Sequence, residues 1–250
     1  MFASTLSVSA AYVSPMSNET MDYFNSFDFE ECYISETLGE GIKYSLRKIE
    51  AYINEHDYYT IDDLNTVAEP IDVERLSYTK SSASYDYSCL LPNSEALLNS
   101  QEIEIFNSNP AWGAVILVQA DYANRMEKQF FGGNTWATNG DAFRHALWNA
   151  MGARGTSDSY MEAFATAHET GSPQYDPNSI DTQMDLYNNE MGRELLKNMT
   201  FPSRPANGMT IPYVIWNNIA NAVANGQMRR FVANGTQYTY LIPTNSSSTN

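Results

Sequence analysis

The chain predicts a mainly α fold: an orthogonal helical bundle with a small C-terminal β-hairpin and a partly irregular N-terminal region. Three observations carry this. Helix-start signals follow one another closely beyond residue 92. Three segments between residues 139 and 197 repeat apolar side chains at helical spacing. One Asn-Gly pair near the end, Asn234-Gly235, stands between two β-type runs.

The elements come in order. MFASTLSVSAAYVSP is small and apolar, and Val8-Ser9-Ala10 fits a small-residue cleavage rule, but no basic residue precedes it. Residues 1–19 are therefore expected to be a truncated signal peptide or a disordered leader. Residues 20–91 are rich in Tyr, Asp, Ser and Glu, with a helix expected from Glu40 to Glu55 and a linker or loose strand over Ser77–Asn93. A boundary near Pro92 opens a helical domain over 92–250. There Ser94 is placed to cap SEALLNSQEIEIF, Pro110 opens AWGAVILVQADYANRMEKQF, and Gly226 follows IPYVIWNNIANAVAN as a C-terminal stop.

Charge and cysteine content limit the function classes. Thirty acids face fourteen bases, a net charge of −16, which repels phosphate backbones and anionic membrane surfaces, so no nucleic-acid partner is expected. No apolar run reaches the roughly 18 residues of a transmembrane helix. In a secreted chain Cys32 and Cys89 can close a long loop; in a cytosolic one they are two unrelated thiols. Their spacing offers no cysteine metal site.

The chemistry concentrates in three segments. In NGDAFRHALWNA a helical wheel puts Asp141, Arg144, His145 and Trp148 on one arc, with Ala142, Phe143, Ala146 and Leu147 on the core side. Alone, the polar arc reads as a solvated face; His and Trp argue against that, because solvated faces favour Lys and Glu. In SYMEAFATAHE, His168 falls in line with Met161, Phe164 and Ala165 and is expected inside, whereas Glu169 groups with Glu162 and Thr166 toward solvent. In SIDTQMDLYNNEMGRELL, capped by Ser179, Arg193 and Glu190 mark the wet side. Asp181, Asp185, Asn188, Asn189 and Gly192 share an arc beside core leucines. Buried polar groups of this kind need partners or a ligand. Gly192 leaves room for another backbone or a ligand to come close.

Two imidazoles and a carboxylate suit a divalent metal such as zinc, with His145, His168 and Asp185 as ligands and one position left for water. Without a metal, His beside Asp is a general base. No GxSxG, P-loop or GxGxxG stands in the required context, so acyl-serine, nucleotide and dinucleotide chemistries lack residue support.

NGDAFRHALWNA, AHE and MDLYNNEMGR, in that order, resemble a family of bacterial domains of unknown function found in secreted proteins and at the C-terminal ends of toxin-like proteins. The likeness runs from about Pro92 to Val232 and falls on Asp141, Arg144, His145, Trp148, Asn149, His168, Glu169, Asp185, Asn188, Asn189, Gly192 and Arg193. Leu147 departs from it, where an aromatic is expected. The resemblance implies a helical domain with shared positions and no settled reaction.

Two function classes follow. The first is a secreted hydrolase acting on a phospholipid, a cell-envelope polymer or another small substrate. His145, His168 and Asp185 activate water there, and Asp141 and Asn189 orient them. Arg144 contacts an anionic substrate group, and Trp148, Asn149 and Asn188 bind substrate. The second is a non-catalytic secreted binding or structural domain, in which the same buried network only specifies helix packing and the tyrosine-rich N-terminal part carries partner contacts. A hydrolase needs its polar cluster to open onto a pocket.

Overall fold

The computed structural model describes residues 23–71, 98–133, 135–171, 175–201, 210–234 and 237–247. Among them are the helices α1 (Phe29–Ile34), α2 (Glu40–Glu55), α3 (Ile61–Val67), α4 (Ser100–Ser108), α5 (Pro110–Phe131), α6 (Asn139–Gly155), α7 (Asp158–Thr170), α8 (Ile180–Lys197) and α9 (Ile211–Ala224). Strands β1 (Arg229–Asn234) and β2 (Gln237–Pro243) pair antiparallel, Phe231 opposite Leu241 and Asn234 opposite Gln237, with a register irregularity between Phe231 and Ala233. The mainly α class with a C-terminal hairpin is thus the observed one. The leader, the Ser77–Asn93 linker, Cys89 and the Pro92 boundary lie outside the described residues. Cys32 is buried, and burial first, then the Glu31 and Asp28 charges, pushes its thiol up to about 12.

Several helices begin where the sequence places a cap. Pro110 occupies the first turn of α5, where its missing N–H is no loss, and Asn109 Oδ1 accepts from Trp112 N–H. Thr60 and Asp63 form a reciprocal capping box on α3. Ser94, expected to cap the next helix, lies outside the described residues, and within them α4 begins at Ser100. Asn99 caps it, accepting from Gln101 and Glu102 N–H while Glu102 Oε2 accepts from Asn99 N–H at 2.6 Å. Ser179 stands at the start of α8, but its side chain makes no cap bond. Gly226 follows α9 at φ +78°, a left-handed conformation suited to glycine.

One continuous apolar core joins the N-terminal helices to the rest, with Leu46 and Ile49 of α2 and Leu64 of α3 in the same cluster as Ile116, Phe143 and Phe164. α6 runs through its centre. α5, α7, α8 and α9 all pack on α6, so both of its arcs are covered. The expectation of a solvated polar face is overturned here: Asp141, His145, Trp148 and Asn149 are all buried. A helix polar on one side and yet enclosed must satisfy that side internally, and α8 supplies the partners.

α8 reaches α6 through Gly192. A Cβ there would lie 2.2 Å from the Ala146 carbonyl oxygen, a backbone atom that no side-chain rotation can move away. The expected close approach is therefore one of backbone to backbone. Replacing Gly192 with Ala must push α8 away from α6 and is expected to destabilise the fold by about 2–3 kcal/mol. Thermal unfolding checks this; an unchanged midpoint would contradict the packing described.

Candidate functional site

The site begins in the turn before α6. Ala137 adopts φ +63°, a conformation that costs a residue with a Cβ about 1–2 kcal/mol. That strain aims its N–H at Asp141 Oδ2, 2.8 Å away. Thr138 caps the helix, accepting from Gly140 N–H. Asp141 is thereby fixed, and one turn later His145 projects onto the same arc.

His145, 3% exposed, is the hub. Its Nε2 lies 3.3 Å from Asp185 Oδ1 and 3.5 Å from Asp141 Oδ1. Its Nδ1 lies 3.2 Å from Asn189 Oδ1 and 3.5 Å from Glu169 Oε1. Asp141, His145 and Asp185 each offer a ligand atom within 4.8 Å of the others, a set able to hold a metal ion. Glu127, Asp141, Glu169, Asp181 and Asp185 thus surround one guanidinium, Arg144, and one imidazole.

On the Nδ1 side the network is complete. Arg193 Nη1 donates to Asn149 Oδ1 at 2.7 Å, Asn149 Nδ2 to Asn189 Oδ1 at 2.6 Å, and Asn189 Nδ2 to Glu169 Oε1 at 3.1 Å. On the Nε2 side it is not. Asp185 Oδ1 is buried with no hydrogen-bond partner among the described residues.

Nε2 has competing claimants. Arg144 Nη2 stands 2.8 Å from it and can only donate, which requires a ring with its proton on Nδ1, facing Asn189 Oδ1. A second proton on the ring would face Asp185 instead, and Arg144 would have to turn toward Glu127, whose Oε2 is 3.4 Å from Arg144 Nε. Proton and guanidinium exclude one another at that atom. Arg144, at 2.8 Å, stands nearer that atom than Asp185 or Asp141, at 3.3 and 3.5 Å, yet the surrounding carboxylates favour a proton there.

The electrostatics follow from burial and crowding. Burial opposes a charged His145, but Asp185, helped by Asp141 and Glu169, outweighs burial and Arg144 and raises its pKa to about 9. Burial raises Asp185 well above the carboxylate range, and Glu169, Asp141 and Asp181 add to it. Burial also works against the Asp141 anion, yet the His145 hydrogen bond and charge, with Arg144 and the Ala137 N–H, hold it well below that range.

The positions named from sequence divide. Asp141, Arg144, His145, Asn149, Asp185 and Asn189 meet at one place. His168 does not, and a two-imidazole metal site is corrected accordingly. His168 Nδ1 bonds Glu102 Oε1 at 2.8 Å and its ring meets Trp148 edge-on at 5.4 Å, its side chain 30% exposed. The wheel aimed it correctly at an apolar arc, but the partner comes from α4, which carries none of the three motifs. Glu169, assigned to solvent, reaches His145 because α8 covers that side of α7. Arg193, assigned to the wet side, is buried against Asn149.

Other roles change as well. Trp148 is core, its indole N–H donating to the Ile116 carbonyl. Asn188 exchanges two bonds with the Arg229 backbone, at 2.8 and 2.9 Å, and ties the hairpin to α8. Asn149 is sealed within the amide run. All three side chains are buried and bonded within the protein. Arg144 is paired with Asp141 and Glu127 among an excess of carboxylates. The residue missed is Trp136, 51% exposed, whose Nε1 donates to Asp181 Oδ1 at 2.8 Å on the rim of the cluster. Asp181 stands one turn before Asp185, and the i, i+4 spacing is the signal that links them.

Fold and centre define a helical domain built around a buried carboxylate–imidazole cluster. Residues 103–226 match a family described as a domain of unknown function (DUF6973). That span holds all of the clustered residues and none of the helices before α4. No curated protein and no solved structure matches the chain at a significant level.

The shifts on His145 and Asp185 share one sign for stability. The folded state holds protons that the unfolded chain releases, so stability falls as pH rises. For His145 the contribution is complete below 6.5 and lost as pH passes about 9. The urea midpoint of the parent is expected to decline across that window, and that of His145→Gln to decline less. Identical profiles for the two proteins would refute the assignment.

Proposed function

We propose that the domain is a hydrolase whose Asp141, His145 and Asp185 activate water, directly or around a divalent cation such as zinc. Asp185 Oδ1 carries this reading. A network built only to specify packing satisfies its buried members, whereas this carboxylate oxygen has no hydrogen-bond partner among the described residues and faces Nε2 at 3.3 Å. The acidic surplus of the cluster supports a cation, and the mix of carboxylate oxygen and imidazole nitrogen suits zinc, manganese or iron.

A bound cation would lower the pKa of its water and so supply hydroxide at neutral pH. The chain's own groups do the rest. Asn189 Oδ1 accepts the Nδ1 proton, and Nε2, which the neighbouring carboxylates keep protonated up to about pH 9, is placed to give that proton to a leaving group and takes one from water only above that pH. The Ala137 N–H keeps Asp141 oriented. The substrate on this reading is a phospholipid or cell-envelope polymer met outside the cell. The resemblance to secreted and toxin-associated bacterial domains supports that placement.

The competing reading, a purely structural network, draws on the complete amide run from Arg193 to Glu169 and the near-total burial of His145. One variant separates the two. If Asp185 is kept for chemistry, Asp185→Asn removes a carboxyl whose ionisation burial opposes and is expected to raise stability by about 1–2 kcal/mol, the gain growing as pH rises. Zinc uptake, near one ion per parent chain by elemental analysis, is expected to vanish in Asp185→Asn and His145→Ala. A parent without zinc, together with a destabilised Asp185→Asn, would establish the structural reading.

A further inference from the structure

A second site lies away from this cluster, and none of the residues grouped around His145 lines it. A cavity of about 130 Å³ opens where residues 23–32 lie against α5, the C-terminal end of α6 and the start of α9. Phe27, Val118, Met151, Ile211 and Ile215 give it apolar walls. An apolar space of about 150 Å³ is enough to take up a benzene ring, so this one matches a ligand of that scale.

Arg154 Nε–H and the Tyr23 hydroxyl, both on its lining, donate to no acceptor among the described residues. Arg154 Nε is buried and unpartnered, and no carboxylate among the described residues forms an ion pair with its guanidinium. Its charged end lies over the face of Phe201, 5.4 Å away. The Tyr23 hydroxyl accepts from Gln119 Nε2 at 2.7 Å, and its own proton meets no acceptor among the described residues. Tyr23 packs against the same end of α6, its ring atoms within 2.9 Å of where a Cβ on Gly155 would stand.

The other charged groups on the lining are committed. Arg125 is paired with Glu31 and Asp121, and Asp28 caps α1. The Cys32 thiol is held neutral by burial, so it supplies no counter-charge. In a chain with more than two acids for every base, a guanidinium left without an acid beside an apolar cavity is unusual chemistry. An uncompensated cation and a spare hydroxyl proton both call for an anionic acceptor.

We propose that this cavity binds a small amphipathic carboxylate, its apolar body among Phe27, Val118 and Ile215 and its carboxylate accepting from Arg154 Nε–H and Tyr23 O–H. The cavity's walls on the Tyr23 side lie outside the 103–226 family segment. Arg154, Val118 and Ile215 lie inside that segment, so the site is formed where the chain's N-terminal part meets it.

Calorimetry on the full chain with benzoate, and with benzyl alcohol as its uncharged counterpart, tests this. Benzoate is expected to bind at least tenfold more tightly than the alcohol. Arg154→Met is expected to erase that preference while leaving the alcohol's affinity in place, and Tyr23→Phe to reduce benzoate affinity alone by about fivefold. Melting curves of each variant without ligand confirm that it is folded. Failure of benzoate to bind the folded parent at millimolar concentration, or an unchanged preference in Arg154→Met, would overturn the proposal. Neither outcome touches the zinc measurement on the His145 cluster.

Discussion

The contact between the backbones of α6 and α8 at Ala146 and Gly192 is the constraint on which the rest of the structure depends. With no side chain at Gly192, α8 settles one carbonyl's distance from α6. Asn189 and Asp185, one and two turns earlier on α8, are thereby delivered to opposite nitrogens of His145. The same closeness excludes water, and exclusion of water is what gives the neighbouring charges their effect on one another. Packing and electrostatics are two results of one short distance.

The cluster is asymmetric. Around Nδ1 each amide has a partner, from Arg193 through Asn149 and Asn189 to Glu169. This half resembles a fully satisfied polar core, which rigidifies the interface and fixes its register. Around Nε2 the carboxylates outnumber the cations, Asp185 Oδ1 lacks a hydrogen bond, and Arg144 occupies a place that a proton or a metal ion would also seek. The satisfied half holds the imidazole still, and the unsatisfied half retains the chemistry. Ala137, strained to direct one N–H at Asp141, belongs with the second half.

Much of this was legible in the sequence, for definable reasons. Helix positions followed from caps and periodicity: Glu40–Glu55 and Pro110 fell as expected. The residues that meet at the centre came mostly from the polar arcs of α6 and α8, since i, i+4 spacing fixes which side chains share a face whatever covers it. What a wheel cannot give is what covers a face. Glu169 and Arg193 were assigned to water because their arcs are polar, yet helix-on-helix packing encloses both. His168 was aimed correctly but partnered wrongly, because Glu102 lies 66 residues away in sequence and first serves to cap its own helix. Trp136 was passed over because a lone aromatic in a turn has no periodicity to mark it.

The central claim is that His145 is enclosed by Asp141, Asp185, Asn189 and Glu169 rather than exposed to solvent. Long-range nitrogen–proton NMR of the histidine ring nitrogens reads this directly. For His145 the expected pattern is a ring with its proton on Nδ1 at high pH, protonating well above 6.5 on acidification. Its Nε2 resonance is expected to shift on addition of zinc. An His145 ring titrating like a free imidazole, with no preferred tautomer and no response to zinc, would contradict the account at its foundation.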